Sequence, residues 1–185
     1  MIDILNNQLS AYTNEQLSQY THQQLATLQF LGYICDRTED DVSRWRELRD
    51  KGWLGMNESE RYEWLGFMKG RYTCDDLNRV ENAVTVLSDR LNNLGYKHAT
   101  LVVKTDWVNE DEVLRSDMER YLSNVETLRR SISLFKQTPV TPRINERMNY
   151  KLANNIEQIL FDLDTVTTNL QEAWCCSGDI VSGEV

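Results

Sequence analysis

Residues 73–95 read TCDDLNRVENAVTVLSDRLNNLG, and this stretch decides the fold class. Its apolar residues recur at alternating spacings of three and four, which places them on one face of an α-helix. The pattern returns in a stretch that opens at Ser116 and in another that follows Asn149. Together, these stretches predict helices packed nearly side by side. The apolar series are Leu77, Val80, Val84, Leu87, Leu91 and Leu94; Tyr121, Val125, Leu128, Ile132 and Phe135; and Leu152, Ile156, Ile159, Leu163, Val166, Leu170 and Ala173.

Capping residues and glycine stops predict three further helices, over residues 13–31, 38–52 and 57–70. Two prolines and eight glycines provide few turns, which favours long helices over a β fold. Residues 99–104 contain the single strand-like stretch, and the C-terminal tail alternates loosely enough to pair with it. The predicted fold is therefore mainly α. It is an antiparallel bundle of about six helices with a small β element near 99–104 and the C-terminal tail.

The length of 185 residues suits one compact domain with appendages. We expect an N-terminal arm and helix over residues 1–34, a helical bundle domain over 35–176 and a C-terminal tail over 177–185. Such a chain can bury a core without a metal or a disulfide.

Charge and hydropathy exclude two classes of partner. The formal net charge of −9 argues against nucleic acid, whose phosphates require an excess of Lys and Arg on one face. No apolar run approaches the length of a membrane span, and no secretory signal is predicted at the start of the sequence.

The cysteines have no framework spacing, so we expect reduced thiols made in a cytoplasm. They are Cys35, Cys74, Cys175 and Cys176.

No pattern predicts catalysis, a cofactor or a metal site. The two histidines, His22 and His98, lie on different elements and lack carboxylates at ligand spacing. Phosphate-binding glycine motifs and nucleophile elbows are absent from the sequence. The acidic runs 39–41 and 110–112 lack the residue order of a calcium loop, and we interpret both as structural.

Parts of the helical stretches resemble one another. Residues 76–80 align with 117–121, and residues 78–82 align with 154–158. Stacked helical repeats would give this similarity, but so would any capped amphipathic helices, and both explanations remain open. Arg79 and Arg120 share one repeat position, which predicts partly buried ion pairs between packed helices. The alternative is a pair of solvent-facing arginines that contribute little to stability.

The five tryptophans divide into two groups. Trp45, Trp53 and Trp64 fall on the two short helices and are predicted to be core residues that join them. Trp107 and Trp174 flank loops or helix ends, where an aromatic side chain often anchors an interface. The candidate partner contacts are Leu17, Leu28, Trp107, Trp174, Ile180 and Val181.

Several of these stretches resemble a module of tail-region proteins from phages and prophages of Gram-positive bacteria. The similarity covers roughly residues 35 to 180. Cys175 and Cys176 depart from the pattern, which has aromatic residues at that place. The stretches that carry the resemblance are 36–42, 64–65, 68–70 and 76–81 in the first half, and 117–125, 154–157, 173–174 and 177–179 in the second.

The resemblance implies a non-enzymatic structural protein of the virion tail or baseplate, assembled in the bacterial cytoplasm. It would be present in several symmetric copies and would bind neighbouring tail proteins through its N-terminal helix and C-terminal tail. One alternative is a phage-encoded cytoplasmic assembly chaperone or adaptor. Another is a small cell-wall- or sugar-binding module, which would need paired carboxylates or an aromatic platform.

Overall fold

The computed structural model describes residues 32–145 and 148–179, the last six of these by their backbone alone. The mainly helical class and the packing of the helices are confirmed, and within the described ranges no strand is present. The predicted helix over residues 13–31 lies outside the described part. The helices are α1 (Glu39–Gly55), α2 (Glu58–Leu65), α3 (Cys74–Asn93), α4 (Arg115–Ser131) and α5 (Tyr150–Asp179).

The core lies between α3, α4 and α5, each of which packs against the other two. The apolar series of the sequence supply it, because residues three and four apart share a helix face. Trp107 joins this core from the segment between α3 and α4. The fully buried members are Ala83, Leu87, Leu91, Val125, Leu128, Ile156, Ile159, Leu160 and Leu163.

Helices α3 and α5 run in the same direction, so the predicted antiparallel arrangement is wrong for this pair. Arg79 near the start of α3 binds Glu157 near the start of α5. Further along both helices, Arg90 binds Asp164 and Thr168. A parallel arrangement requires the chain to return to the same end between helices, and the long connections 94–114 and 132–149 provide that return.

Helices α1 and α2 begin at the predicted caps and pack against each other. Thr38 and Asp41 form a reciprocal capping box at the start of α1, and Asn57 and Glu60 form one at α2. Gly52 interrupts α1 with a φ of 64° and a ψ of 163°, at the place where the sequence predicted its end.

Gly70 brings the chain back across the start of α1. A Cβ atom at this position would lie 2.1 Å from the carbonyl oxygen of Asp41 and 2.7 Å from the nitrogen of Val42. The close approach is therefore available only to glycine.

Three predicted helix ends differ from the observed ones. Helix α2 stops at Leu65 and α4 stops at Ser131, so residues 66–69 and 132–135 are not helical. Helix α5 continues to Asp179, which extends the helix past the predicted start of the C-terminal tail at 177. Residues 180–185, with the predicted contacts Ile180 and Val181, lie outside the described part.

Residues 99–104 do not form the predicted strand. The backbone groups of this stretch are hydrogen-bonded to side chains and not to a neighbouring strand. Arg120 and Asn124 donate to the carbonyl oxygen of Val102 at 2.8 and 2.7 Å. The amide of Lys104 donates to Glu81 at 2.9 Å. The predicted partner strand also begins in residues that belong to α5.

The three tryptophans of the α1–α2 pair are not core residues. Trp45 and Trp64 are half-buried and Trp53 is exposed. Each ring instead stacks with a guanidinium, from Arg49, Arg71 and Arg61 respectively, at 4.9 to 5.9 Å from the ring centroid.

Candidate functional site

Two residues of α3 hold the extended segment 104–107 against the helix. The amide of Trp107 donates to Asn78 Oδ1 at 2.8 Å, and Asn78 Nδ2 donates back to the carbonyl oxygen of Trp107 at 2.9 Å. One helical turn later, Glu81 accepts from the amide of Lys104 at 2.9 Å. Trp107 Nε1 donates to the other oxygen of Glu81 at 3.4 Å. We call this arrangement the α3 clamp.

Helix α5 holds the segment 34–37 in the same way. The amide of Arg37 donates to Asn154 Oδ1 at 3.2 Å, and Asn154 Nδ2 donates to the carbonyl oxygen of Arg37 at 2.9 Å. Glu157 accepts from the amide of Ile34 at 2.7 Å and from Arg37 Nη2 at 2.7 Å. We call this arrangement the α5 clamp.

The two clamps match residue by residue. In each clamp, an Asn and the Glu three positions after it bind two backbone amides of the extended segment. Those amides also lie three positions apart. The side chain of the later segment residue, Arg37 or Trp107, binds the same Glu. The Asn–Glu pairs are those of the aligned fragments 78–82 and 154–158. These fragments align in the sequence, but their shared role was not predicted, because the segments they bind lie far away in the chain.

A buried charge cluster is built on the α5 clamp. Glu157 binds Arg37 at 2.7 Å and Arg79 at 2.8 Å, and Asp76 binds the same two arginines at 3.0 and 2.7 Å. The two positive and two negative charges balance. Charges removed from water require such partners. Burial alone lowers the pKa of Arg79, but the carboxylates of Glu157 and Asp76 outweigh burial and raise it above its ordinary value.

A second ion pair completes the α3 clamp. Arg120 of α4 binds both oxygens of the buried Glu81 at 2.7 Å. The hydrogen bonds to Glu81 raise the pKa of Arg120. The prediction of partly buried ion pairs between packed helices is thus confirmed for Arg79, which binds Glu157, and for Arg120, which binds Glu81.

Hydroxyl and thiol groups beside the charge cluster are poor acids. Tyr72 and Tyr121 share a 2.6 Å hydrogen bond between their hydroxyls, and burial raises the pKa of both. Burial, followed by the charge of Glu157, raises the pKa of the Cys35 thiol to about 11. At neutral pH these groups stay protonated, and the neighbouring carboxylates are occupied by arginines. The arrangement suits structural support better than proton transfer or nucleophilic attack.

His98 is the one histidine among the described residues, and its ring contacts a hydroxyl and a backbone carbonyl. His98 contacts Ser88 Oγ at 3.2 Å through Nε2, and its Nδ1 lies 2.9 Å from the carbonyl oxygen of Ala99. Among the described residues, no group of three or more His, Cys, Asp or Glu side chains could hold a metal ion. A search of the same residues found no helix with the length and hydropathy of a membrane span.

Of the candidate partner contacts, Trp107 lies in the core with 5% exposure, so it does not offer a surface to a partner. Trp174 belongs to α5, in a part of the helix that is described by its backbone alone. Leu17 and Leu28, like Ile180 and Val181, fall outside the described residues.

Four apolar side chains of the α1–α2 pair are exposed, as are others elsewhere among the described residues, such as Val140 and Val102. The exposed fraction is 92% for Leu54, 72% for Leu65, 71% for Tyr62 and 47% for Trp53. We call these four residues the α1–α2 apolar end. Leu54, Tyr62 and Leu65 were not among the predicted partner contacts, and Trp53 was predicted to be a core residue.

Comparison with known proteins adds no further constraint on this site. The chain matches no protein-family model, no curated protein and no solved structure.

Proposed function

We propose that the chain is a non-enzymatic structural protein of a phage tail or baseplate, acting through contacts with neighbouring proteins. It would be assembled in the cytoplasm of the bacterial host and retained in the virion. The sequence resemblance to tail-region proteins supports this function. A second support is that the buried charged side chains are paired within the chain, whereas apolar side chains are exposed on α1 and α2.

The observation that carries the proposal is the α1–α2 apolar end. Leu54, Tyr62 and Leu65 are each more than 70% exposed, although they belong to two helices that pack together. Exposed apolar groups on neighbouring elements are characteristic of surfaces that bind other proteins. The buried arginines and carboxylates are meanwhile committed to holding segments 34–37 and 104–107 in place.

The proposal retains the contacts expected outside the described residues. Leu17 and Leu28 would bind neighbouring tail proteins from the N-terminal region, and Ile180 and Val181 would do so from the C-terminal tail. A sixth helix over residues 13–31 and a β-type contact made by the tail are parts of the same proposal.

Mass spectrometry of gradient-purified particles tests this function. If a phage that encodes the chain is disrupted and fractionated, we expect the protein in the tail fraction at several copies per particle. The assembly-chaperone alternative predicts the protein bound to a client before maturation and absent from finished particles. A soluble monomer found only outside particles would contradict the proposal.

A further inference from the structure

The first described residues run along α5 toward its C-terminal end when the chain is followed backwards. The amide of Arg37 binds Asn154 near the start of α5. Four residues earlier, the ring of Tyr33 packs edge-on against Phe161, with 5.8 Å between the ring centroids. Where the chain leaves the described part at residue 32, it is therefore directed toward the C-terminal end of α5.

Helix α5 extends past α3 at this end. Arg90 lies three residues before the end of α3 and contacts Thr168 of α5 at 2.9 Å. Helix α5 continues from there to Asp179. Its apolar series continues as well, with Leu170 half-buried and Ala173 exposed. The C-terminal part of α5 therefore presents an apolar face beyond the reach of α3.

This part of α5 and the segment before residue 32 are both poor in charge. Residues 165–178 contain a single Asp, Glu, Lys or Arg, which is Glu172, and residues 13–31 contain a single one, Glu15. In the whole chain, 26% of the residues are of these four types. Removing two such surfaces from water leaves few charges without hydration, so they suit contact with each other.

The lengths of the two segments match. The predicted helix over residues 13–31 would span about 28 Å, and α5 spans about 27 Å from Phe161 to Asp179, at about 1.5 Å per residue. The apolar positions of the predicted helix fall within one half of its circumference. They are Leu17, Tyr20, Leu25, Leu28 and Leu31.

We infer that residues 13–31 form a helix that packs antiparallel against the C-terminal part of α5 in the same chain, with Leu28 against Leu170. Tyr33 already lies on α5, so about two residues connect the helix to its binding face. Such a short connection gives the segment an effective concentration in the millimolar range. A second copy of the chain at ordinary concentrations would not compete with it.

The contact would control the surface that the N-terminal region offers to neighbours. Leu17 and Leu28 are the residues proposed above to bind neighbouring tail proteins. In the free chain α5 would cover them, and a neighbour would have to displace the helix from α5 to reach them. This consequence rests on the proposed function, whereas the packing of the helix on α5 does not.

Hydrogen exchange of the full-length protein, measured by mass spectrometry, tests the packing. Leu28→Asp should speed exchange in residues 169–179 at least about tenfold, since the burial of one leucine is worth at least that factor. Ala26→Asp is the matched control, because residues two positions apart lie on nearly opposite sides of a helix. It should leave residues 169–179 at the wild-type rate.

The reciprocal variant changes α5. Leu170→Asp should speed exchange in residues 13–31 by a similar factor, whereas Gln171→Asp, at an exposed position of the same helix, should not. The amides of α3 are the internal reference and should keep their wild-type rates in all four variants.

Dilution distinguishes the chain's own segment from that of a second copy. Packing within one chain predicts equal protection of residues 169–179 at about 1 μM and about 100 μM protein. Protection that is lost on dilution would assign the face to a second copy and overturn the inference, as would an unaffected Leu28→Asp protein. Faster exchange in α3 as well would mean that the whole bundle unfolds, which also contradicts the release of a single helix. Each result leaves the presence of the chain in tails, which is measured separately, unaffected.

Discussion

Glu157 shows at the level of one residue how the charge cluster is built. Its side chain is 1% exposed and accepts from two arginines and from the amide of Ile34. Neither Arg37 nor Arg79 could stay beside α5 without a carboxylate there, since a buried charge needs a partner. The identity of this one acid therefore determines whether segment 34–37 can be buried.

Replacement of Glu157 by Gln should destabilise the protein by about 3–5 kcal/mol, because Arg37 and Arg79 would keep Asp76 as their single carboxylate in the cluster. Urea denaturation followed by circular dichroism gives the free energy of unfolding.

The matched control for Glu157→Gln is Glu119→Gln, which removes an exposed carboxylate paired with Arg115 on the same helix. We expect a cost below about 0.5 kcal/mol for that change. If the two variants had equal stability, the charge cluster would not support the fold as described.

At the scale of elements, the Asn–Glu clamps explain why long extended segments can lie inside a helical protein. Each clamp satisfies backbone amides that would otherwise be buried without a partner. Each clamp acts on its own segment, since the α3 clamp binds 104–107 and the α5 clamp binds 34–37.

Hydrogen exchange should reveal this independence. Asn78→Ala removes the acceptor of the Trp107 amide and should speed exchange in 104–107 at least about fivefold, a loss of about 1 kcal/mol. Asn154→Ala should do the same in 34–37, so each variant is the control for the other. Equal acceleration of both segments in both variants would show a single cooperative unit instead of two clamps.

Gly70 gives a second prediction at this scale. Gly70→Ala should destabilise the protein by about 1–3 kcal/mol, because its Cβ would collide with the backbone of Asp41 and the start of α1 would have to move. The control is Gly55→Ala, whose Cβ would lie 3.7 Å from Lys51 Cβ, an ordinary contact. Thermal unfolding compares them, and equal melting temperatures would argue against close contact at Gly70.

The sequence predicted these helices well because capping and periodicity are local. Thr38, Asn57 and Thr73 mark the observed starts of α1, α2 and α3. The direction of α5 relative to α3 was predicted wrongly, although the long connections 94–114 and 132–149 are compatible with a parallel return.

The clamps were not predicted, since they join residues more than twenty positions apart. The pairing of Arg37 with Glu157, for example, spans 120 positions. One signal in the sequence could have indicated the clamps: the Asn–Glu spacing of positions 78 and 81 recurs at 154 and 157.

At the scale of the whole molecule, support and binding fall to different helices of the described part. Helices α3, α4 and α5 with their two clamps form the supporting body, and we propose the α1–α2 apolar end as the surface for partners. This division was predictable only in part, because Trp107 was expected at an interface and lies in the core, whereas Leu54 received no role.

The incorporation of Leu54→Asp into phage particles tests this central claim most directly. Quantitative mass spectrometry would compare purified tails assembled with the wild-type, Leu54→Asp or Val102→Asp protein as the single source of this chain. We predict that Leu54→Asp accumulates as a folded protein but is lost from tails, while Val102→Asp is incorporated like the wild type. Incorporation of Leu54→Asp at the wild-type level would contradict the account.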